Sequence, residues 1–399
     1  MPSRIKKRGE NTYLLSVAAG YDGRGRQITY TRTVNASSKR EAEKHYALFL
    51  AEIENGQTAS PGKTTVEQFC SLWLINHAEK HLAPKTIQRY RQLINLWIVP
   101  AMGKLQLGRL KPMHLMSFYD NLTEDGIRKD GKSGGLSPRT ILHIHRLLHT
   151  IMQAAIQWDY LPYNPISKVK APRADRPDIT ILDEEQLGHF LLLLDKHDLK
   201  WKVLSLLLLA AGIRIGEALG VEWQHIDMDN SIMAVEQASQ YLGHNVGTIT
   251  KRPKNKASER LVALPNSLVE LLHQYKSYQA AKRIELGSKW QGGVTFSHDR
   301  LFTTWNGRPM FPGSYNTWLS RLCLNNGLPH ITPHSLRHLS ATLLINANIS
   351  LKNISARLGH NRTSTTGDIY SHFLKSTDKI AAEKMDAILL AAKEKKQAK

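Results

Sequence analysis

The sequence is poor in cysteine and has no long apolar run. Cys70 and Cys323 are its only cysteines in 399 residues, which excludes a disulfide framework and is typical of a reducing compartment. The longest apolar run, Val203–Ile213, includes a serine and is far shorter than a membrane span. The basic first residues are followed by no apolar stretch, so we expect no signal peptide. These absences predict a soluble protein of the cytoplasm with no membrane segment.

Acidic residues are also too few to balance the basic ones. The chain has 54 Lys and Arg against 34 Asp and Glu, which gives a net charge of +20 and a pI near 9.8. The excess is spread along the whole chain, so no single basic tail explains it. A nucleic acid partner fits this charge, because each neutralised phosphate releases counterions. Solubility, or non-specific attraction to any polyanion, is the alternative explanation.

The chain length predicts two or three domains. Residues 1–56 contain two segments typical of strands, Tyr13–Ala18 and Ile28–Val34, around a Gly-rich turn and before an amphipathic helix. The stretch 55–63 has the composition of a linker. We predict a small module of β-sheet plus helix for this region.

Residues 64–160 predict an all-α domain, with helices opened by Thr65, Pro84 and Pro138. The proline-rich, basic stretch 160–178 is typical of an extended linker. Residues 180–399 predict a mainly α domain with a small sheet formed by Ser231–Val235 and Glu259–Leu264. The expected fold class is therefore α+β and multidomain, with domains 1–56, 64–160 and 180–399.

The first motif with possible chemistry surrounds Arg214, in the sequence Ala-Gly-Ile-Arg-Ile-Gly-Glu that follows a strongly apolar segment. A guanidinium in such surroundings needs acceptors, and either Glu217 or a bound phosphate could supply them. This motif by itself leaves both possibilities open.

A second motif, Thr332-Pro-His-Ser-Leu-Arg-His, opens another predicted helix. The proline marks the first turn, and His334 and Arg337 are three residues apart, which places them on one helix face. An imidazole and a bidentate phosphate ligand would then lie side by side.

A third pattern consists of Leu358-Gly-His360 followed by Tyr370. Tyrosine ordinarily has a pKa near 10 and is a poor nucleophile at neutral pH. Nearby arginines would favour its phenolate form and neutralise a target phosphate. Without such neighbours, a tyrosine is usually a packing or surface residue.

The segment 251–256 is rich in lysine, and either Lys254 or Lys256 could reach a DNA leaving group from a turn. A solvated basic hairpin is the alternative interpretation. A terminal amphipathic helix over 378–393 could pack on a neighbouring molecule.

The ordered set R, K, H-x-x-R, L-G-H and Y resembles the tyrosine recombinase family, which includes lambda-type integrases and Xer recombinases. The resemblance covers nearly the whole chain and implies an arm-site-binding module at 1–56, a core-binding domain at 64–160 and a catalytic domain at 180–399. It also implies that recombination proceeds through a 3′-phosphotyrosine and needs no metal or cofactor. The catalytic residues it implies are Arg214, Lys254, His334, Arg337, His360 and Tyr370.

In that family scheme the two arginines hold the scissile phosphate, Tyr370 attacks it and Lys254 protonates the 5′ oxygen, with Lys256 as a rival for this role. His334 would assist proton transfer, and His360 would donate a hydrogen bond to the phosphate.

The resemblance implies several partners: double-stranded DNA at core and arm sites, three further protomers, an excision or directionality factor, and a host DNA-bending protein. It implies a bacterial, nucleoid-associated location and the integration or excision of a mobile element, such as that of a phage.

Two other functions are compatible with parts of this pattern. A type IB topoisomerase uses nearly the same residues but relaxes supercoils, whereas the N-terminal module and the terminal helix favour recombination. A DNA-binding regulator that has lost activity is the second, and the complete residue set argues against it. The histidines His143, His145 and His149 suggest a metal site, but no third ligand of the usual kind accompanies them, so we expect packing or DNA contact.

Overall fold

The structure is a computed structural model, and it describes residues 5–21, 27–54, 64–175, 180–243, 246–251, 259–359 and 385. The chain divides into two compact units, 1–176 and 177–399. Both units mix helices with strands, and the expected α+β class is confirmed. None of the described helices has the length and apolar character needed to cross a membrane.

The first unit begins with a three-stranded antiparallel sheet and a helix that covers it. The strands pair in the order β1-β2-β3, with Tyr13 opposite Val34. Alternation along β2 buries Leu15 and Val17, which pack with Phe49 of the helix. These elements are β1 (Ile5–Lys7), β2 (Thr12–Tyr21), β3 (Gln27–Asn35) and α1 (Lys39–Glu54).

A helical block follows in the same unit, and Thr65 begins it as predicted. The Thr65 hydroxyl accepts a hydrogen bond from the Gln68 backbone N–H at 3.3 Å, and the Gln68 side chain accepts one from the Thr65 N–H at 3.0 Å. This reciprocal pair satisfies two backbone donors that a helix start leaves free. The α-helices are α2 (Val66–Trp73), α3 (Glu79–His81), α4 (Pro84–Leu93), α5 (Val99–Met102), α6 (Pro112–Asn121) and α7 (Pro138–Gln157).

Two π-helical turns interrupt this block. Leu74–Ala78 joins α2 to α3, and Ile94–Ile98 joins α4 to α5. Both turns contribute side chains to one apolar core, which Phe69 and Trp73 also fill. That core reaches Val169, so the first part of the proline-rich stretch packs with the helices.

The second unit is built around the buried helix α9. Its helices are α8 (Glu184–Leu194), α9 (Leu199–Ala211), α10 (Ile215–Ala218), α11 (Asn266–Leu286), α12 (Pro312–Asn325), α13 (Pro333–Asn346) and α14 (Leu351–Leu358). Its strands are β4 (Ile226–Asp227), β5 (Ile232–Val235), β6 (Ala238–Tyr241), β7 (Thr248–Lys251) and β8 (Arg260–Ala263).

The small sheet has the order β4-β5-β8, and Val235 is paired with Arg260. It contains both predicted strands, each slightly shorter than expected. The sequence analysis did not predict the β6–β7 hairpin, α11 or α12. Helix α9 begins at Leu199, where Trp201 stacks on Trp318 at 5.2 Å and anchors a first turn that is rich in lysine.

Candidate active site

Arg214 follows a sharp turn at the end of α9. Gly212 ends that helix with a φ of +63°, which glycine adopts without the steric cost other residues incur. A β-carbon at this position would lie 2.6 Å from the Leu358 side chain, so close packing also requires glycine. The turn places Arg214 directly before α10, with its side chain 44% exposed.

Glu217 holds Arg214 from one turn further along the chain. Its carboxylate accepts the Arg214 backbone N–H at 3.0 Å and a guanidinium Nη1–H at 2.8 Å. The Glu217 side chain is only 7% exposed. The Arg–Glu pair that the sequence left open is therefore present, and the exposed remainder of the guanidinium is available to a ligand.

Arg337 lies on α13 and is almost fully buried, at 1% exposure. Thr332 caps that helix by accepting the Ser335 N–H, and Pro333 occupies its first turn, as the motif predicts. The Arg337 guanidinium donates from Nη1 to the Gly212 carbonyl at 2.7 Å and from Nη2 to the Leu358 carbonyl at 2.8 Å.

These two bonds join the turn before Arg214 to the end of α14. Helix α14 ends at Gly359 with a φ of +69°, again a position suited to glycine. The next residue in the sequence is His360. Arg337 therefore fixes the relative position of two chain segments that each lead to a candidate catalytic residue.

His334 precedes Arg337 by one helical turn and packs edge-on against His338, with 4.4 Å between the ring centroids. Burial lowers the pKa of His334, and the positive charges of Arg337 and Arg214 lower it further. The neutral imidazole is therefore favoured near neutral pH, a form that can both accept and donate a proton.

The structure thus brings Arg214, His334 and Arg337 into one cluster of the second unit. Lys254, Lys256, His360 and Tyr370 lie outside the described residues, as does the terminal segment 378–399 apart from residue 385.

Sequence reasoning missed Arg260, at the start of β8. Its Nη2 donates to the second Glu217 oxygen at 2.9 Å, and its Nε donates to the Arg357 carbonyl at 2.7 Å. Burial alone would raise the pKa of Glu217, but the hydrogen bond and charge of Arg260, followed by those of Arg214, hold that pKa below its ordinary value. The only signal in the sequence was an arginine four residues after the end of the lysine-rich segment 251–256.

Arg357 was also missed, one turn before His360. Its Nη2 donates to the carbonyls of Ala210 on α9 and Ala263 on β8, at 2.8 and 3.0 Å. It ties α14 to the helix and strand that flank the cluster.

Two of the three histidines of α7 pack within the first unit, and His143 is exposed. His145 is buried and its Nδ1 lies 3.0 Å from the Tyr119 hydroxyl, while Nε2 of His149 lies 3.4 Å from the Ser167 hydroxyl. Within the described ranges, no group of three or more His, Cys, Asp or Glu side chains is arranged to hold a metal ion.

Models of known protein families match both helical regions of the chain. A model of the phage integrase family matches residues 180–377, and a model of the SAM-like N-terminal domain of phage integrases matches residues 65–123. Together they cover more than half of the chain. The chain belongs to the phage integrase family of tyrosine recombinases, and its reaction is site-specific DNA recombination.

Relatives of similar length support this assignment. A XerC-like tyrosine recombinase of Caldanaerobacter subterraneus subsp. tengcongensis is 25% identical, over 96% of this chain and 98% of its own. The ICEBs1 integrase of Bacillus subtilis is 26% identical, over 96% of this chain and 100% of its own.

Solved structures show the same fold. The Tn1549 transposon integrase, in complex with a circular intermediate DNA, aligns with a TM-score of 0.67 at 20% identity, over 81% of this chain and 99% of that chain. A lambda integrase dimer bound to a COC′ core site aligns with a TM-score of 0.55 at 17% identity, over 92% and 95%.

Proposed function

We propose that this enzyme opens and rejoins DNA through a 3′-phosphotyrosine on Tyr370. The observation that carries the proposal is the cluster of Arg214, His334 and Arg337, assembled from two segments far apart in sequence. Arg337 also bonds to Leu358, twelve residues before the tyrosine. A phosphotyrosine conserves the ester energy, so rejoining needs no nucleotide cofactor.

The two arginines are assigned to the non-bridging oxygens of the scissile phosphate. A phosphodiester gains negative charge as the phenol attacks, and preorganised guanidinium groups stabilise that charge. Arg214 presents its exposed part to the phosphate, and Arg337 lies in the same cluster, hydrogen-bonded to the turn that precedes Arg214. His334, neutral in the free enzyme, is assigned to proton transfer, and His360 to a hydrogen bond with the phosphate.

A lysine of the 252–258 segment is assigned as the general acid, with Lys254 preferred over Lys256. A substrate whose 5′ bridging oxygen is replaced by sulfur separates the two, because a thiolate leaves without protonation. Lys254→Met should slow cleavage of the normal substrate and cleave the sulfur substrate at nearly the wild-type rate. Lys256→Met should behave like wild type on both. The reverse pattern would move the role to Lys256.

Covalent capture tests the nucleophile. With a nicked suicide substrate, the wild-type chain should form a covalent DNA complex and Tyr370→Phe should bind the DNA without forming one. Tyr278→Phe, an exposed tyrosine of the same unit, is the matched control and should retain capture. Capture by Tyr370→Phe would remove Tyr370 from the mechanism.

The DNA partners are proposed by region. Domain 64–160 and domain 180–399 would hold the core site, and module 1–56 would hold arm sites. Two solved neighbours support DNA as the partner: one is the Tn1549 integrase in complex with transposon right end DNA, and the other a lambda integrase tetramer bound to a Holliday junction. Footprints of the full chain and of a chain lacking 1–56 should differ only at the arm sites.

A tetramer on DNA is proposed as the active assembly, in the bacterial cytoplasm on the nucleoid, aided by a directionality factor and a host DNA-bending protein. Deleting 378–399 should impair strand exchange more than binding of one site. Equal recombination by the shortened chain would refute a docking role for that segment.

Relaxation of supercoils without strand exchange by the full chain would favour the topoisomerase alternative.

A further inference from the structure

Arg260 is a buried arginine next to the candidate active site. Its side chain is 7% exposed, and it donates to the Glu217 carboxylate and to the Arg357 carbonyl. The guanidinium also lies against Gly359, where an added β-carbon would meet it at 2.8 Å. Arg260 therefore contacts the residue that holds Arg214 and the turn that leads to His360.

The charges of this cluster can be counted. Arg214, Arg260 and Arg337 each carry one positive charge, since arginine does not lose its proton in proteins. Glu217, whose pKa is held low, carries one negative charge. These four side chains therefore carry a net charge of +2, and the neutral His334 adds nothing to it.

A net positive charge suits the chemistry proposed above. A phosphodiester has one negative charge, and the pentavalent state formed by phenolate attack has two. Without Arg260 the cluster would be +1, and Glu217 would have Arg214 as its remaining cation. The Glu217 carboxylate is shared between Arg260 and Arg214. If the charge of Arg260 were removed, the carboxylate would attract Arg214 more strongly, because charges interact strongly in a buried site. Arg214 would then be less available to the phosphate.

We propose that Arg260 is a positioning residue that neutralises Glu217, so that Arg214 can bind the scissile phosphate. This inference rests on the proposed function of Arg214. Arg260 is assigned to act through Glu217 and not on DNA, because its Nη2 donates to that carboxylate at 2.9 Å and its Nε donates to the Arg357 carbonyl at 2.7 Å.

Charge rescue in single-turnover cleavage tests the proposal. Arg260→Met keeps an unbranched side chain and removes its charge. We expect it to bind the core site with near wild-type affinity and to cleave a suicide substrate about 10- to 100-fold more slowly. Adding Glu217→Gln returns the cluster to +2, and we expect the double variant to cleave about tenfold faster than Arg260→Met alone.

Arg283→Met is the matched control. Arg283 is another partly buried arginine of the same unit, and it donates to the fully buried Asp299 carboxylate at 2.5 Å. It is not part of the cluster. This variant should lose thermal stability, as Arg260→Met does, but its folded fraction should cleave DNA at the wild-type rate.

Three outcomes would overturn the inference: wild-type cleavage by Arg260→Met, a double variant as slow as or slower than Arg260→Met, or an equal rate loss in Arg283→Met. A weakened affinity of Arg260→Met that accounts for its whole defect would also overturn it. Failure of the proposed function is distinguishable, since the wild-type chain would then form no covalent complex, or Tyr370→Phe would form one.

Discussion

Buried polar groups serve different purposes in the helical block of the first unit and in the candidate active-site cluster of the second. In the helical block, Tyr119 and His145 lie within hydrogen-bonding distance of each other inside an apolar core. In the cluster, Arg337 and Arg260 donate to main-chain carbonyls or to Glu217, and a net positive charge remains. The first arrangement contributes to stability. The second contributes to stability and also leaves a positive charge that can attract an anion.

Substitution of Arg337 has the largest expected effect, because it should lower both the stability of the fold and the rate of DNA cleavage. We expect Arg337→Ala to lower the free energy of unfolding by about 3 kcal/mol, since two carbonyls lose a charged donor. Cleavage by the folded enzyme should fall by at least about 100-fold. Denaturant titration and suicide-substrate kinetics measure the two effects. Arg321→Ala, an exposed arginine of α12, should change neither.

Phe69 should affect stability alone. It is fully buried, and its ring lies 4.9 Å from that of Tyr160. Phe69→Ala should destabilise the helical block by about 3 kcal/mol, because it leaves a cavity in the apolar core. Chemical denaturation followed by tryptophan fluorescence measures this, with Met113→Ala, at 72% exposure, as the control. A slower cleavage step in the folded variant would show that the division between the two regions is wrong.

Tyr119→Phe tests the internal polar pair of the helical block. Loss of the hydroxyl leaves the buried Nδ1 of His145 without this partner, which should cost about 1 kcal/mol. Tyr163→Phe, at 49% exposure, should cost nothing measurable. Equal melting temperatures for the two variants would contradict a contribution from the pair.

His334 should give the smallest effect, and it depends on pH. Its pKa in the folded state lies below the ordinary 6.5, so the unfolded chain binds a proton first as the pH falls. The stability contributed by neutral His334 is thus complete above 6.5 and is lost as the pH falls below 6.5 towards the folded pKa. His334→Gln should flatten this fall.

The free energy of unfolding, measured one pH unit above and one below the ordinary histidine pKa of 6.5, tests the effect. His273→Gln, at an exposed histidine of α11, is the control. An unchanged slope in His334→Gln would contradict the assigned environment.

Local patterns were sufficient to predict part of the site. Pro333 marks the start of a helix, and the spacing of His334 and Arg337 places both on one helix face, so these positions could be identified without coordinates. The family resemblance then gave them a shared reaction.

Long-range contacts could not be predicted in the same way. Arg260 is 43 residues from Glu217 and 97 from Arg357, and no periodicity links such distant positions. Helix α11 was missed for a related reason: its buried residues face α9, and their role depends on that packing. Sequence reasoning therefore found the residues marked by turns and missed those defined by partners.

The hydrogen-bond acceptors of Arg337 limit which second-site mutations could compensate for its loss. Its acceptors at positions 212 and 358 are peptide carbonyls, and every amino acid placed there supplies the same oxygen. A new side chain at either position therefore cannot replace the hydrogen bonds that a substitution at 337 removes. Screens for allele-specific suppressors of defective Arg337 alleles should recover no compensating substitutions at those two codons.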